Sequence, residues 1–172
     1  ALVTGGSRGL GKQIAVQLLK EGVSVGICAR KKNELQNVFE ELQGLCNEGQ
    51  TLATFVCDVA DQSQIDSLFD TVLSQFPKLD ILVNNAGIYG PMGNLESVSW
   101  ADWIRTIEVN IFGTVYACRS ALPHFKSNGY GRIVNLSGGG ATSPLPFISA
   151  YGTSKAAIVR FTESLAHELD GE

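Results

Sequence analysis

Short apolar runs alternate with longer amphipathic segments along the whole chain. The apolar runs lie at residues 1–4, 23–29, 51–57, 81–83 and 133–136, and apolar residues at helical spacing follow each of them. Regular alternation of this kind predicts parallel strands in one sheet, with the connecting helices packed on both faces. We therefore expect an α/β chain of the doubly wound type.

Residues with chemical potential follow the ends of these runs. The glycine-rich stretch 5–11 comes after the first strand, Arg30 after the second, Asp58 after the third, Asn85 after the fourth and Ser137 after the fifth. Because the carboxyl ends of parallel strands meet at one edge of the sheet, we expect these residues to share one ligand-binding crevice.

The loop after the first strand carries glycines at a G-x-x-x-G-x-G spacing. Glycine lets the backbone turn tightly and come close to a ligand, and the helix that follows points its N-terminus at that ligand. Between a first strand and a first helix, such a loop indicates a pyrophosphate site. The loop residues expected at this site are Gly5, Ser7, Arg8, Gly9, Leu10 and Gly11.

The second strand ends without an acidic residue. Folds that bind NAD commonly place Asp or Glu there, on the adenosine ribose. This chain has Arg30 followed by Lys31 and Lys32. A guanidinium binds phosphate well, and Arg8 is expected to reach the same group, so the sequence favours NADP(H) over NAD(H), which stays a second cofactor. The alternative is a solvated basic start to the next helix.

Tyr151 and Lys155 lie four residues apart at the start of a helical apolar pattern. Residues at this spacing share a helix face. A cation about 4 Å from the phenol would lower its pKa by up to about three units and suit it to proton exchange near neutral pH. The alternative is an ordinary surface pair.

Together these stretches resemble the short-chain dehydrogenase/reductase family. The matching motifs are Thr4-Gly5-(x)3-Gly9-x-Gly11, Asp58, Asn84-Asn85-Ala86-Gly87, Asn110 and Tyr151-x-x-x-Lys155. They extend over nearly the whole chain in the family's order. The resemblance implies one NAD(P)-binding, Rossmann-type domain over residues 1–172 that lacks the family's last strands and its substrate-covering segment.

The resemblance also implies a role for each matching residue. Tyr151 would exchange the proton during hydride transfer between the nicotinamide and a carbonyl or secondary alcohol, and Lys155 would bind the nicotinamide ribose. Asn110 would hold a water that links Lys155 to solvent; a locally bonded helix residue is the alternative. The residues expected along the rest of the cofactor are Asp58 and Val59 at the adenine and Asn85, Ala86 and Gly87 in the groove.

One position departs from the family pattern. Members usually carry a serine thirteen residues before the tyrosine, where this chain has Gly138, with Ser137 one place earlier. Because neighbouring residues of an extended chain point to opposite faces, Ser137 should turn away from Tyr151. The glycines at 138–140 would allow the loop to turn it back, so we expect Ser137 to be catalytic. Thr142 and Ser143 are the alternatives.

Charge and cysteine content narrow the list of partners. The formal net charge is −4 and no basic run is longer than the three residues 30–32, so nucleic acid is not expected as a partner. No apolar stretch suits a membrane span. The four cysteines lie in strand-like or helical runs without a paired spacing, which indicates buried thiols in a reducing compartment such as the cytoplasm. The two histidines lack a ligand pattern, so no metal site is expected.

The family resemblance leaves two readings of the whole protein. The first is an NADP(H)-dependent oxidoreductase that acts on a small carbonyl or alcohol and forms a homodimer or homotetramer. The second is a non-catalytic NADP(H)-binding module, or an inactive fragment, which Gly138 favours. Residues 88–95 and 138–147 are the stretches of this chain that are expected to reach the substrate.

Overall fold

The computed structural model describes residues 1–170. Strands and helices alternate through this range, as the apolar pattern predicts. The strands are β1 (Leu2–Thr4), β2 (Val25–Ala29), β3 (Leu52–Val56), β4 (Ile81–Asn84) and β5 (Arg132–Asn135). The helices are α1 (Gly9–Lys20), α2 (Lys32–Leu42), α3 (Gln62–Gln75), α4 (Trp100–Ile107), α5 (Gly113–Ser127) and α6 (Ser149–Glu168), with short 3₁₀ turns at Gln43–Leu45 and Gly139–Ala141.

The five strands form one sheet in the order β3-β2-β1-β4-β5, and every neighbouring pair is parallel. The order reverses direction between β1 and β4, which creates the crevice where such sheets bind ligands. The expected α/β, Rossmann-type doubly wound sheet is confirmed.

Alternation along the strands distributes the core to both faces of the sheet. Leu2 of β1 and Leu82 of β4 pack on one face, while the next residues, Val3 and Val83, pack on the other. Helices α1 and α2 cover the Val3 face, and α3 and α5 cover the Leu2 face together with Leu165 of α6. Because both faces are buried, the central strands are apolar throughout, which explains why the sequence shows continuous apolar runs.

The helical segment between Ser99 and Asn128 is interrupted. Ser99 begins it, and its hydroxyl accepts a hydrogen bond from the Asp102 amide at 3.3 Å. A π-helical turn at Glu108–Phe112 separates α4 from α5. Such turns insert one residue into the helical ladder and occur frequently at functional sites.

The cysteines are thiols in differing environments. Cys28, Cys57 and Cys118 are buried, and all four cysteines are free. The expectation that Cys46 is a buried helical residue is wrong. Helix α2 ends at Leu42, and the following 3₁₀ turn leaves Cys46 half-buried in extended backbone.

Candidate active site

A cleft of about 600 Å³ opens at the carboxyl ends of the strands. It is lined by most of the residues that the sequence assigns to a cofactor: Gly5, Ser7, Arg8, Gly9, Leu10, Arg30, Asp58, Val59, Asn85, Ala86 and Gly87. Gly11 lies behind this lining, and Tyr151 and Lys155 lie beside it. Tyr89, which does line the cleft, packs against the ring of Tyr151, with ring centroids 4.7 Å apart and the rings tilted by 35°.

The glycine loop is shaped by two backbone requirements. Gly9 has φ of +56°, which side chains with a Cβ rarely adopt. Gly11 is buried so closely that an added Cβ would lie 2.6 Å from the Gly5 carbonyl oxygen. Helix α1 begins at Gly9, within this glycine-rich stretch, with no side-chain cap at Arg8, so its first backbone N–H groups are available to an anion.

Asn85 joins the loop after β4 to the loop after β1. Its side-chain amide donates to the carbonyl oxygens of Thr4 and Gly5 at 2.9 and 3.0 Å. The Thr4 hydroxyl in turn accepts the backbone N–H groups of Asn85 and Ala86, each at 3.1 Å. The two loops that form the floor of the cleft are therefore held at a fixed distance.

Asp58, in the loop after β3, is anchored on both carboxylate oxygens. One of its carboxylate oxygens accepts from the Ala60 amide at 3.1 Å, and the other pairs with the Arg105 guanidinium of α4. Arg105 also pairs with Glu108 at 3.3 Å. This ion pair connects the loop after β3 to the helix that carries the π-turn.

The basic end of the cleft contains an acid. Arg8, Arg30 and Lys31 line it together with Glu34 from the first turn of α2. The Glu34 carboxylate accepts from the Ser7 hydroxyl at 3.1 Å and from the Lys31 ammonium at 2.9 Å. The Lys31 hydrogen bond is the main reason that the pKa of Glu34 lies below its usual value.

Asn110 lies buried in the π-turn and connects three segments. Its side-chain oxygen accepts from the Ile88 amide at 2.8 Å, and its amide nitrogen donates to the Ile88 carbonyl and to the Ser154 hydroxyl, each at 2.9 Å. Ser154 donates in turn to the Tyr151 carbonyl. Asn110 thus fixes the loop after β4 against α6, and its expected link to a water stays a prediction.

Tyr151 and Lys155 occupy the first two turns of α6 on one face, as their spacing predicts. The Lys155 ammonium lies 5.7 Å from the centroid of the Tyr151 ring and donates to the Leu136 carbonyl at 2.7 Å. Lys155 is only 6% exposed, so its charge is held next to the end of β5 and away from bulk water.

The electrostatics of this pair differ from the expectation. Burial, and secondarily the neighbouring Tyr89, raises the pKa of Tyr151, and burial lowers the pKa of Lys155. The net shift of the Tyr151 pKa is therefore opposite to the expected lowering. The Lys155 ammonium lies over the ring and donates to a backbone carbonyl. The loss of hydration on burial therefore sets the direction in which the pKa of the Tyr151 phenol is shifted.

The expected catalytic position of Ser137 is also wrong in this structure. The Ser137 hydroxyl donates to the Lys155 carbonyl on the helix backbone at 3.2 Å. Gly138 faces the tyrosine instead, since a Cβ there would lie 2.6 Å from the Tyr151 hydroxyl. The backbone at Gly138 is extended, so strand-like alternation persists past β5 and turns Ser137 away. Thr142 and Ser143, the alternatives, are exposed.

Tyr89, Glu34 and Arg105 were not identified from the sequence. Tyr89 follows the Asn84–Gly87 motif by two residues, which is a usable signal for a residue near the cleft. Glu34 is an acid in a first helical turn, a pattern usually explained by the helix dipole. Arg105 pairs with a residue 47 positions away, and no local pattern indicates that contact.

Within residues 1–170, no group of three or more His, Cys, Asp or Glu side chains is arranged to hold a metal ion. None of the helices described above is both long and apolar enough to cross a membrane.

Comparison with known proteins identifies the family. The short chain dehydrogenase family matches residues 1–172, so the chain belongs to the short-chain dehydrogenase/reductase family. Members are oxidoreductases that use NAD(P)(H).

Two relatives match this chain over nearly its whole length. A short-chain type dehydrogenase/reductase of Picea abies is 37% identical over 179 residues, which cover 99% of this chain and 65% of that protein. The 2-dehydro-3-deoxy-L-rhamnonate dehydrogenase (NAD(+)) of Sphingomonas sp. (strain SKA58) is 34% identical over 174 residues, covering 100% of this chain and 66% of that protein. The chain thus spans about two thirds of the length of these relatives.

A solved structure gives the same picture. The crystal structure of a variant actinorhodin polyketide ketoreductase with NADPH matches with a TM-score of 0.92 at 32% identity, covering 98% of this chain and 64% of that chain.

Proposed function

We propose that the whole protein is an NADP(H)-dependent oxidoreductase that interconverts a small carbonyl compound and the corresponding secondary alcohol. One observation carries the proposal. The Tyr151 phenol and the Lys155 ammonium share one face of α6 at the end of the cleft that begins at the glycine loop. A proton donor and a cation thereby meet at the place where a nicotinamide would end.

The residues of the cleft fit a dinucleotide. The uncapped start of α1 offers backbone N–H groups to a pyrophosphate, and Gly9 lets the loop turn towards it. Asp58 and Val59 would contact the adenine. Asn85, Ala86 and Gly87 would form the groove, and Lys155 would bind the nicotinamide ribose.

When bound, the nicotinamide supplies or accepts the hydride. Tyr151 gives its proton to the substrate oxygen as the oxygen gains negative charge, and it takes the proton back in the reverse direction. Because the pKa of Tyr151 is raised, its phenol stays protonated at neutral pH, which suits carbonyl reduction. Lys155 stabilises the phenolate that remains after the transfer.

The proposal is tested by the absorbance of NADPH in the presence of the full-length protein and a panel of ketones and aldehydes. Consumption of NADPH with at least one carbonyl, accompanied by the matching alcohol, is the expected result. The panel also supplies the substrate class, which the described residues do not assign.

A second candidate function is favoured by Gly138. The side chain that members usually place against the tyrosine is absent there, so a protein that binds NADP(H) without turnover is the alternative. It predicts tight NADPH binding and no consumption with any member of the carbonyl panel.

Cofactor preference gives the first prediction. Arg30 lies exposed in the cleft lining, and Arg8 lies opposite in the glycine loop. NADPH should bind more tightly than NADH, and Arg30→Ala should weaken NADPH binding about 10- to 100-fold, since a hydrogen bond between charged groups contributes about 1.5–3 kcal/mol. Lys32→Ala is the control, because Lys32 carries the same charge outside the cleft lining. Equal wild-type affinities for both cofactors would contradict the prediction.

Assembly gives the second prediction. The helices α4, α5 and α6 resemble those that pair across subunits in the family, and Trp100 and Phe112 are 64% and 45% exposed on that side of the chain. Val115, Leu122, Phe161 and Leu165 would be shared between the core and the interface. Light scattering of the full-length protein should give a dimer or a tetramer. A monomer at micromolar concentration would overturn this.

We also propose that the protein is located in the cytoplasm. It is supported by the four free thiols, which suit a reducing compartment.

A further inference from the structure

Glu34 has contacts that helix stability does not explain. An acid in the first turn of α2 is favourable to the helix dipole, but that effect requires no partner outside the helix. The Glu34 carboxylate nevertheless reaches the glycine loop, where the Ser7 hydroxyl donates to it at 3.1 Å across 27 residues of sequence. Its second oxygen accepts from Lys31 at 2.9 Å.

The partners of Glu34 are those that an anionic ligand would need. Ser7, Lys31 and Arg8 all line the outer end of the cleft, and Arg8 also contributes to the charge that Glu34 experiences. A carboxylate and a phosphate take the same donors, namely hydroxyl groups and charged nitrogens. Glu34 thus fills, with a group of the chain itself, a place that has the donors of a phosphate site.

We propose that Glu34 is a specificity-determining residue, whose carboxylate competes with the 2′-phosphate of NADP(H) for Ser7 and Lys31. This proposal rests on the NAD(P)(H) binding proposed above. For NADP(H) to bind, Glu34 gives up both donors. For NAD(H), whose ribose carries a free 2′-hydroxyl, the same carboxylate is an acceptor and does not need to move.

The exchange is feasible because the competing contacts are weak. The Lys31 and Glu34 side chains are 64% and 29% exposed, and exposed ion pairs add little to stability. Glu34 can therefore rotate away without disturbing α2. After rotation its negative charge stays on the first turn of the helix, close to the phosphate, and continues to oppose it. Glu34 thereby limits the preference for NADP(H) that Arg30 and Arg8 favour.

Glu34→Gln in the full-length protein tests this, because glutamine keeps the shape and removes the charge. Titrations with NADPH, NADH and adenosine 2′,5′-bisphosphate should show the two phosphate-bearing ligands binding about tenfold more tightly than to wild type, the size expected for one charged contact. NADH affinity should stay the same or fall. Glu40→Gln removes the same charge from α2 outside the cleft lining and should change none of the three.

The outcomes separate this proposal from the proposed function. Wild-type binding of either cofactor, with a selective gain for the phosphate-bearing ligands in Glu34→Gln, supports the proposal even if wild type prefers NADH. If the wild type binds a cofactor and Glu34→Gln changes no affinity, or changes the affinities of all three ligands equally, the role of Glu34 is overturned and the proposed function stays intact. Binding of none of the three ligands to wild type overturns both.

Discussion

Replacing Tyr151 by phenylalanine should lower kcat by about 10²–10⁴-fold, the usual contribution of a positioned proton donor. Phenylalanine keeps the ring that packs against Tyr89 and lies under the Lys155 ammonium, so the helix and the cleft should keep their shape. The dissociation constant of NADPH should therefore stay near the wild-type value. Steady-state kinetics with the best carbonyl of the panel and a fluorescence titration of NADPH measure the two quantities.

Ser137→Ala is the matched control for Tyr151→Phe. Each substitution removes one hydroxyl group near the start of α6, but the Ser137 hydroxyl is bonded to the helix backbone and Gly138 faces the tyrosine. Ser137→Ala should keep a rate close to wild type and lose stability by about 0.5–1.5 kcal/mol. If Tyr151→Phe retained most of the wild-type rate, another acid would be needed. If Ser137→Ala lost most of the wild-type rate, the loop after β5 would have to rearrange when cofactor and substrate bind.

Lys155→Met should have the second-largest effect, a loss of about 10²–10³-fold in kcat, as for other groups that stabilise developing negative charge. Methionine preserves the length and apolar stem of lysine but removes the buried charge beside the tyrosine ring. NADPH binding should weaken as well, since Lys155 would bind the nicotinamide ribose. Lys155→Met should lower both kcat and NADPH affinity, whereas Tyr151→Phe should lower kcat alone.

A structural contribution to the Lys155→Met effect must be measured separately. Without the ammonium, the Leu136 carbonyl loses its 2.7 Å partner, which costs about 1–3 kcal/mol if the carbonyl stays buried. Denaturant unfolding of the variant measures that cost. Lys20→Met, at the exposed end of α1, removes the same charge and should alter neither rate nor stability appreciably. A wild-type rate in a folded Lys155→Met variant would remove lysine from the mechanism.

The sequence predicts those parts of the molecule that depend on local or periodic patterns. Parallel strands covered on both faces are largely apolar, so the central strands β1, β2 and β4 appear as apolar runs in the right order. The Ser99 cap and the glycine turn before α1 likewise depend on residues that are close in sequence. The π-turn at Glu108–Phe112 is not visible in this way, because its residues continue an ordinary helical pattern.

The site required contacts that local patterns do not contain. Whether Ser137 or Gly138 faces Tyr151 depends on a single residue of register at the end of β5, which the glycines alone leave open. The hydrogen-bond partner of Lys155 is a backbone carbonyl 19 residues away, which the sequence does not indicate. The spacing of Tyr151 and Lys155 predicts an ammonium beside the phenol oxygen, but the structure places the ammonium over the ring. The Ser7–Glu34 contact requires the loop after β1 and the start of α2 to be adjacent, which only the paired strands create.

Hydride transfer to a carbonyl carbon in this cleft, with Tyr151 as the proton donor, is tested most directly with NADPH that carries deuterium at the transferring position of the nicotinamide. The labelled NADPH is incubated with the full-length protein and its best carbonyl. The wild type should give an alcohol with deuterium on its carbinol carbon, and Tyr151→Phe should give almost none under the same NADPH saturation. An alcohol without the label, or an equally labelled yield from Tyr151→Phe, would contradict it.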